Sequence, residues 1–133
     1  FSTVQATYNI LETSAATILQ QAHDAGMGVI VKEAVANGRL TPRNQEADFA
    51  GARQVLDEQA RRLQTTMDAL ALRFIMEKPF VDVVLSGATT TCQLEQNAAA
   101  LAVDWDSAAG EAMEQLSEDP ETYWNKRSNL PWN

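Results

Sequence analysis

The chain has 133 residues, of which 45% are hydrophobic and 21% are charged, a balance typical of a folded globular protein rather than a disordered one. Its formal net charge of -8 disfavours binding to nucleic acid or to anionic membrane surfaces, and no apolar run approaches the length of a membrane helix. The single cysteine, Cys92, excludes an intrachain disulfide and indicates the cytoplasm or another reducing compartment.

The first quarter of the chain predicts a strand, a helix and a second strand. Residues 3–10 are rich in β-branched and aromatic types, which favours a strand, and apolar residues then recur at helical spacing over 15–22. Gly26 is placed to end this helix in the left-handed conformation. Residues 28–33 begin with a continuous apolar run, which predicts a strand covered on both faces. Because the chain starts directly in strand-like sequence, we expect further polypeptide upstream.

Two helices are predicted before a third strand. Apolar spacing indicates the first over about 55–63. Thr65 or Thr66 can cap the second, and Pro79 ends it. The third strand is predicted over residues 81–86, because Val81-Asp82-Val83-Val84-Leu85 is rich in β-branched residues.

A helix over about 91–102 and a helical tail over 107–133 complete the order β-α-β-α-α-β-α-α-α. Three parallel strands by themselves would form an open sheet with two bare edges, whereas parallel sheets normally have covered faces and protected edges. The pattern therefore predicts an α/β protein whose parallel β/α units are the last three of a larger barrel or sheet.

Ligands of α/β proteins bind at the carboxyl ends of the strands. Three segments fall there: Tyr8-Asn9, residues 32–38, and residues 86–91. The second contains Gly38, which allows a ligand to approach the backbone closely. The third is small and polar and opens a helix, whose free N–H groups favour a phosphate. These features predict an anionic ligand such as a nucleotide, although no GxGxxG or GxxxxGK[ST] motif is present.

Five segments, taken in order, resemble the C-terminal half of the aldo-keto reductases: VQATYN, GMGVIVKEAVANGRL, DALALRF, VDVVLSGATTTCQLEQN and ETYWNKRSNLPWN. The resemblance implies a TIM (β/α)8 barrel whose sixth, seventh and eighth strands lie here. Residues 1–133 would then be the C-terminal half-barrel and would need the N-terminal half as partner. It also implies NADP(H), with NAD(H) as the alternative, as the cofactor for reducing small aldehydes and ketones.

The resemblance further implies a cofactor site built from these segments. Gln5 would hydrogen-bond the nicotinamide carboxamide. The remaining residues would line the pyrophosphate (Val35, Ala36, Asn37, Gly38, Leu40), the adenosine ribose (Ser86, Gly87, Ala88, Thr90), and the ribose phosphate with adenine (Gln93, Gln96, Asn97).

Two positions depart from the family pattern. Lys32 stands where many members have an aromatic residue that stacks on the nicotinamide, although its aliphatic stem could cover the ring face. No basic residue lies between Val81 and Asn97, and Gln93 stands where an arginine often holds the 2′-phosphate. The choice between NADP(H) and NAD(H) is therefore open at this point.

The family's Asp, Tyr, Lys and His proton-transfer set lies on the first four β/α units, which nothing here matches. No catalytic residue is therefore predicted in this chain. Hydride transfer needs an acid for the carbonyl oxygen as charge develops, so the chain alone should turn over negligibly.

Two other functions remain open. The chain could belong to a non-catalytic binding or assembly subunit of aldo-keto reductase ancestry, in which the catalytic set is truly missing. It could also come from a lyase-type barrel in which Lys32 forms a Schiff base. The simpler expectation for Lys32 is an ion pair with Glu33 or with a residue of the other half.

Other reactive or aromatic side chains are assigned structural roles. His23 lies on a polar helix face and is expected at the surface. Tyr8 is expected to pack at a strand end rather than act as an acid. Cys92 is expected to be a small packing residue, although its place in a first helical turn could lower its pKa. Trp105 and Trp132 are expected to fill grooves rather than bind substrate. The resemblance implies that the tail containing Tyr123 and Trp124 packs against the barrel exterior or rim.

Overall fold

The structure, a computed structural model, describes residues 2–131. Short 3-10 turns lie at Ala36–Gly38, Ala47–Phe49 and Ala99–Ala102. The strands and α-helices are, in order, β1 (Thr3–Thr7), α1 (Ala16–Asp24), β2 (Gly28–Lys32), α2 (Ala50–Arg62), α3 (Met67–Met76), β3 (Val83–Val84), α4 (Thr91–Ala98), α5 (Ser107–Glu114) and α6 (Pro120–Ser128). The strands form one parallel sheet in the order β1-β2-β3, so the predicted parallel α/β class is confirmed.

The strands are shorter than predicted. β1 ends at Thr7 rather than near residue 10, because the Asn9 side chain folds the chain into a turn. Its Oδ1 accepts hydrogen bonds from the backbone N–H groups of Leu11 (2.9 Å) and Glu12 (3.0 Å), a local pattern that competes with strand pairing. β3 is limited to Val83–Val84, which pair with Ile30 and Val31 of β2.

The two faces of the sheet differ in burial. On one face Val29 and Val31 are fully buried, and helices cover them. The other face carries Gln5, Lys32 and Val83, which are exposed among residues 2–131. The prediction that β2 is covered on both faces is therefore wrong for this chain, because its helices pack on one side only. Parallel sheets are normally buried on both faces.

Helix α3 forms the centre of the core. Its apolar residues run almost all round the helix, and Leu70, Phe74 and Ile75 are fully buried. Thr66 caps it as predicted, since its side chain accepts a hydrogen bond from the Ala69 N–H. This helix joins the covered face of the sheet to the outer helices.

Tyr8 packs into this core, as predicted. Its ring stacks on Phe74 at 6.2 Å between centroids and meets Phe80 edge-on at 5.3 Å. Burial, followed by the charge of Glu114, raises the pKa of Tyr8 to about 12, which suits a packing residue rather than an acid near neutral pH. Trp105 meets Phe74 edge-on at 6.4 Å, in agreement with its expected groove-filling role.

Asp82 ties β3 to the start of β2. Its backbone N–H donates to the Val29 carbonyl at 3.0 Å, and its Oδ2 accepts from the Val29 N–H at 2.8 Å. His23, which is partly exposed, places Nε2 at 3.7 Å from Asp82 Oδ1.

We expect Asp82→Ala to lower the free energy of unfolding by about 1 kcal/mol, because it leaves the Val29 N–H without its acceptor. Urea denaturation would measure the loss. Asp82→Asn keeps an acceptor oxygen and should lose less, and Asp57→Ala, on the exposed face of α2, is the control. A loss no larger than that of the control would contradict the assignment.

Candidate functional site

A cleft of about 1010 Å³ lies at the carboxyl ends of β2 and β3. Its walls come from five places: the end of β2 and the loop after it, Asp68 in the first turn of α3, the loop between β3 and α4, one face of α4, and the segment at and after the end of α6. The volume is of the size that small-molecule and cofactor sites occupy in proteins.

Most residues predicted at a cofactor site line this cleft. They are Lys32, Val35, Asn37, Gly38, Ser86, Gly87, Ala88, Gln93, Gln96 and Asn97. These residues come from segments far apart in the sequence, and the parallel pairing of β2 with β3 brings them together.

Four predicted residues lie elsewhere. Gln5 is exposed on β1, on the face of the sheet that the helices leave uncovered. The side chains of Ala36 and Leu40 are buried in the core, so a contact from either would have to come from backbone atoms. Thr90 accepts a hydrogen bond from the Gln93 N–H at 3.1 Å and caps α4.

The loop after β2 holds an unusual backbone conformation. Glu33, Ala36 and Asn37 have φ of 57°, 51° and 56°, and Gly38 has φ of 91°. Left-handed backbone costs a residue with a Cβ about 1–2 kcal/mol, and strain of this kind concentrates at functional sites. The sequence indicated the glycine but gave no sign of the strain at Glu33 and Ala36.

Several hydrogen bonds retain this conformation. The Asn9 side chain donates to the Glu33 carbonyl at 2.9 Å, and the Leu40 N–H donates to the Val35 carbonyl at 3.1 Å. The Thr41 hydroxyl donates to the Gly38 carbonyl at 2.7 Å. The surrounding structure therefore holds the strained loop in place.

Side chains from α4 fold the loop after β3. Gln93 Oε1 accepts from the Thr89 N–H at 2.8 Å, and Asn97 Nδ2 donates to the Ser86 carbonyl at 3.1 Å. Gly87 has φ of 66°, which is left-handed and suits glycine. These contacts show Gln93 and Asn97 holding the loop at the N-terminus of α4, where unpaired N–H groups favour an anion.

The charges around the cleft differ from the expectation. Glu33 pairs with Arg127 at 2.8 Å, so the first of the two partners expected for Lys32, Glu33, is wrong, and a partner in the other half stays a prediction. Lys32 is exposed and lines the cleft, and none of the ion pairs within residues 2–131 includes it. Arg43 is also an exposed lining residue. Sequence reasoning missed Arg43 because it lies in a loop with no periodic pattern.

The C-terminal segment packs across the carboxyl ends of the strands. Arg39 donates two hydrogen bonds to the Glu118 carboxylate, at 2.7 and 3.0 Å. Lys126 lies 3.0 Å from the Asp48 carboxylate and 3.4 Å from that of Glu118. Tyr123 is buried, in agreement with its expected packing role.

Three remaining expectations concern single side chains. Trp124 packs edge-on against Tyr123 at 5.2 Å, although it is partly exposed to solvent. Trp132 lies outside the described residues. The packing role expected for Cys92 is wrong, because the first turn of α4 leaves this side chain exposed.

Residues 2–131 contain neither a metal-binding cluster nor a membrane-spanning helix. No three His, Cys, Asp or Glu side chains are grouped closely enough to hold a metal ion. No helix in this range has both the length and the apolar character needed to cross a membrane.

A parallel α/β fold with a glycine-containing cleft at the carboxyl ends of its strands is typical of nucleotide-binding proteins. The family model for the aldo/keto reductase family matches residues 1–118. The chain belongs to this family.

Solved structures of aldo-keto reductases share the fold. The apo form of an enzyme from Bacillus halodurans matches 89% of this chain with a TM-score of 0.72 and 18% identity. Its holo form matches the same 89% of this chain with a TM-score of 0.71 and 19% identity. A thermostable aldo-keto reductase in complex with the inhibitor epalrestat matches 84% of this chain with a TM-score of 0.69 and 17% identity. The matches cover 44%, 43% and 38% of those chains, so this chain spans less than half of each. A comparison with curated proteins finds no match.

Proposed function

We propose that this chain is the cofactor-binding half of an NAD(P)(H)-dependent oxidoreductase that reduces aldehydes and ketones. NADP(H) is the favoured cofactor, and polypeptide outside the chain supplies the proton-transfer residues. The observation that carries the proposal is the cleft, because in a member of this family it unites the loops after β2 and β3. The carboxyl ends of parallel strands are where α/β proteins bind dinucleotides.

The residues of the cleft fit a dinucleotide. Gly38 and Gly87 both line it, and open space surrounds the position that a Cβ would occupy on each. A pyrophosphate could therefore approach the backbone closely at both loops. Lys32 and Arg43 add positive charge to the same cleft. When bound, the cofactor supplies a hydride, and this chain's residues bind and orient it.

The open face of the sheet supports completion by a second half. Val83 and Leu85 are 47% and 42% exposed, and parallel sheets normally have both faces covered. Within residues 2–131, β1 and β3 each pair along one edge only. Five further β/α units would close the barrel, pair both edges and cover this face.

The position of Arg43 bears on the choice of cofactor. The segment between Val81 and Asn97 contains no basic residue, which would weaken a hold on the 2′-phosphate of NADP(H). Arg43 contributes charge from another wall of the same cleft. Comparing the dissociation constants of NADPH and NADH, with and without Arg43→Ala, would test whether Arg43 contributes to binding the 2′-phosphate. A loss of affinity restricted to NADPH would support the role of Arg43.

Cofactor binding by the intact protein tests the proposal directly. We expect saturable fluorescence changes with NADPH, and a mass of roughly twice that of this chain or more, as a whole barrel requires. Gly87→Val should weaken binding about tenfold or more, because it strains a left-handed residue and fills the cleft. Gly51→Ala is the matched control, since Gly51 lies in α2 with free space around it. An intact protein that binds neither NADPH nor NADH would remove the basis of the proposal.

The two alternatives predict different results. A non-catalytic subunit, in which the missing catalytic set is not a truncation, would have a mass below that of a full barrel and would show no carbonyl reduction with any cofactor. A lyase that uses Lys32 would form an adduct when a carbonyl substrate is trapped with borohydride. Lys32 is exposed, so the desolvation that activates Schiff-base lysines is not supplied by this chain.

A further inference from the structure

The Glu33 carboxylate is the centre of a hydrogen-bond network between the loop after β2 and helix α6. Oε1 accepts from Arg127 Nη2 at 2.8 Å and from Arg127 Nε at 3.3 Å. Oε2 accepts from Asn37 Nδ2 at 3.4 Å and from the Tyr123 hydroxyl at 3.5 Å. The Glu33 side chain is 12% exposed, so solvent screens these charges only weakly.

Asn9 joins the same network from the end of β1. It is fully buried, and its Nδ2 donates to the Glu33 carbonyl at 2.9 Å and to the Tyr123 hydroxyl at 3.1 Å. Because its Oδ1 accepts two backbone N–H groups, the whole amide is used. The network therefore fixes both the backbone and the side chain of Glu33 from α6 and β1.

The backbone that is held in this way is the strained one. Glu33 has φ of 57°, and Asn37, which lines the cleft, has φ of 56°. Without outside contacts, a residue with a Cβ leaves this region of backbone space. Asn9 supplies one of these contacts, and Tyr123 and Arg127 supply others from a helix that lies beyond residue 118, where the family match ends.

We propose that Tyr123 and Arg127 are positioning residues, which act through Glu33 to hold Asn37 and the loop after β2 in the conformation that binds the cofactor. The consequence for cofactor binding rests on the function proposed above. In this proposal Tyr123 and Arg127 take no part in the chemical step itself. Helix α6 is then a component of the cofactor site rather than only a cover on the end of the barrel.

The test compares Tyr123→Phe and Glu33→Gln, which keep the side-chain shape, with Asn125→Ala, a change at an exposed position of α6. Hydrogen exchange would be followed over residues 33–41, where the amides of Ala36, Gly38 and Leu40 are hydrogen-bonded. We expect the two network variants to exchange there about tenfold faster than wild type, and the control to be unchanged.

Cofactor titration and steady-state kinetics of the intact protein complete the test. The network variants should raise the dissociation constant of NADPH about tenfold, while kcat at saturating cofactor stays unchanged. Arg127→Lys, which keeps the charge, should fall between wild type and Arg127→Met. Faster hydrogen exchange confined to α6 would overturn the inference, and so would faster exchange over residues 33–41 with unaltered NADPH affinity. If wild type binds neither NADPH nor NADH, the proposed function fails, and exchange over residues 33–41 still decides whether α6 positions the loop.

Discussion

Phe74→Ala is expected to lower the free energy of unfolding by about 3–5 kcal/mol, the range for deleting a buried aromatic ring from a core. Phe74 is fully buried on α3. Its ring contacts Tyr8 on one side and Trp105 on another, and the Lys78 ammonium lies 4.3 Å from its centroid. These neighbours come from three separate parts of the chain, so the cavity cannot be filled by a small local shift.

Urea denaturation followed by circular dichroism would measure this loss. Leu94→Ala is the matched control, because Leu94 on α4 is 56% exposed and its truncation should cost less than about 0.5 kcal/mol. Phe74→Leu keeps much of the apolar volume and should fall between the two. Equal losses for Phe74→Ala and Leu94→Ala would mean that α3 is not the centre of the core.

The order and class of the elements were predictable because hydrophobic periodicity reports burial directly. The apolar residues of α3 are buried as their pattern indicates, whereas only one face of β2, with Val29 and Val31, is buried. The ends of the strands were not predictable from periodicity. Asn9 ends β1 through side-chain hydrogen bonds to the turn, which leave no periodic signal.

The cleft was partly predictable, because parallel strands bring their carboxyl ends to one edge. This rule located Asn37 and Gly87, which line the cleft. The pairing of Glu33 with Arg127 spans 94 residues, and that of Arg39 with Glu118 spans 79. No local spacing predicts such pairs, and the sequence offers only the neighbouring Lys32 as a partner for Glu33, with a residue of the other half as the alternative partner for Lys32.

Arg39→Met is expected to lower the free energy of unfolding near neutral pH by about 3 kcal/mol, the lower end of the range for removing one partner of a buried ion pair. Arg39 and Glu118 are 9% and 19% exposed and share two hydrogen bonds. The Glu118 backbone also donates to the Leu11 carbonyl at 2.8 Å. Lys126 would still lie 3.4 Å from the Glu118 carboxylate, which limits the loss.

The Arg39–Glu118 pair should make the free energy of unfolding depend on pH in the acidic range. Burial by itself would raise the pKa of Glu118, but the hydrogen bonds and charges of Arg39 and Lys126 outweigh it and lower that pKa below its ordinary value of 4.5. The unfolded chain therefore takes up a proton at higher pH than the folded chain. The contribution to stability is complete above 4.5 and is lost as pH falls through the lowered folded value.

Urea titrations from neutral pH down to about pH 3 would isolate this contribution. Wild type should lose more stability below pH 4.5 than Arg39→Met or Glu118→Gln, because neither variant retains the Arg39–Glu118 pair. Other carboxylates titrate in all three proteins, so the difference between the curves belongs to the pair. Parallel curves over the whole range would show that Arg39 does not lower the pKa of Glu118, and that the C-terminal segment is held to the strand ends mainly by apolar contacts such as those of Tyr123.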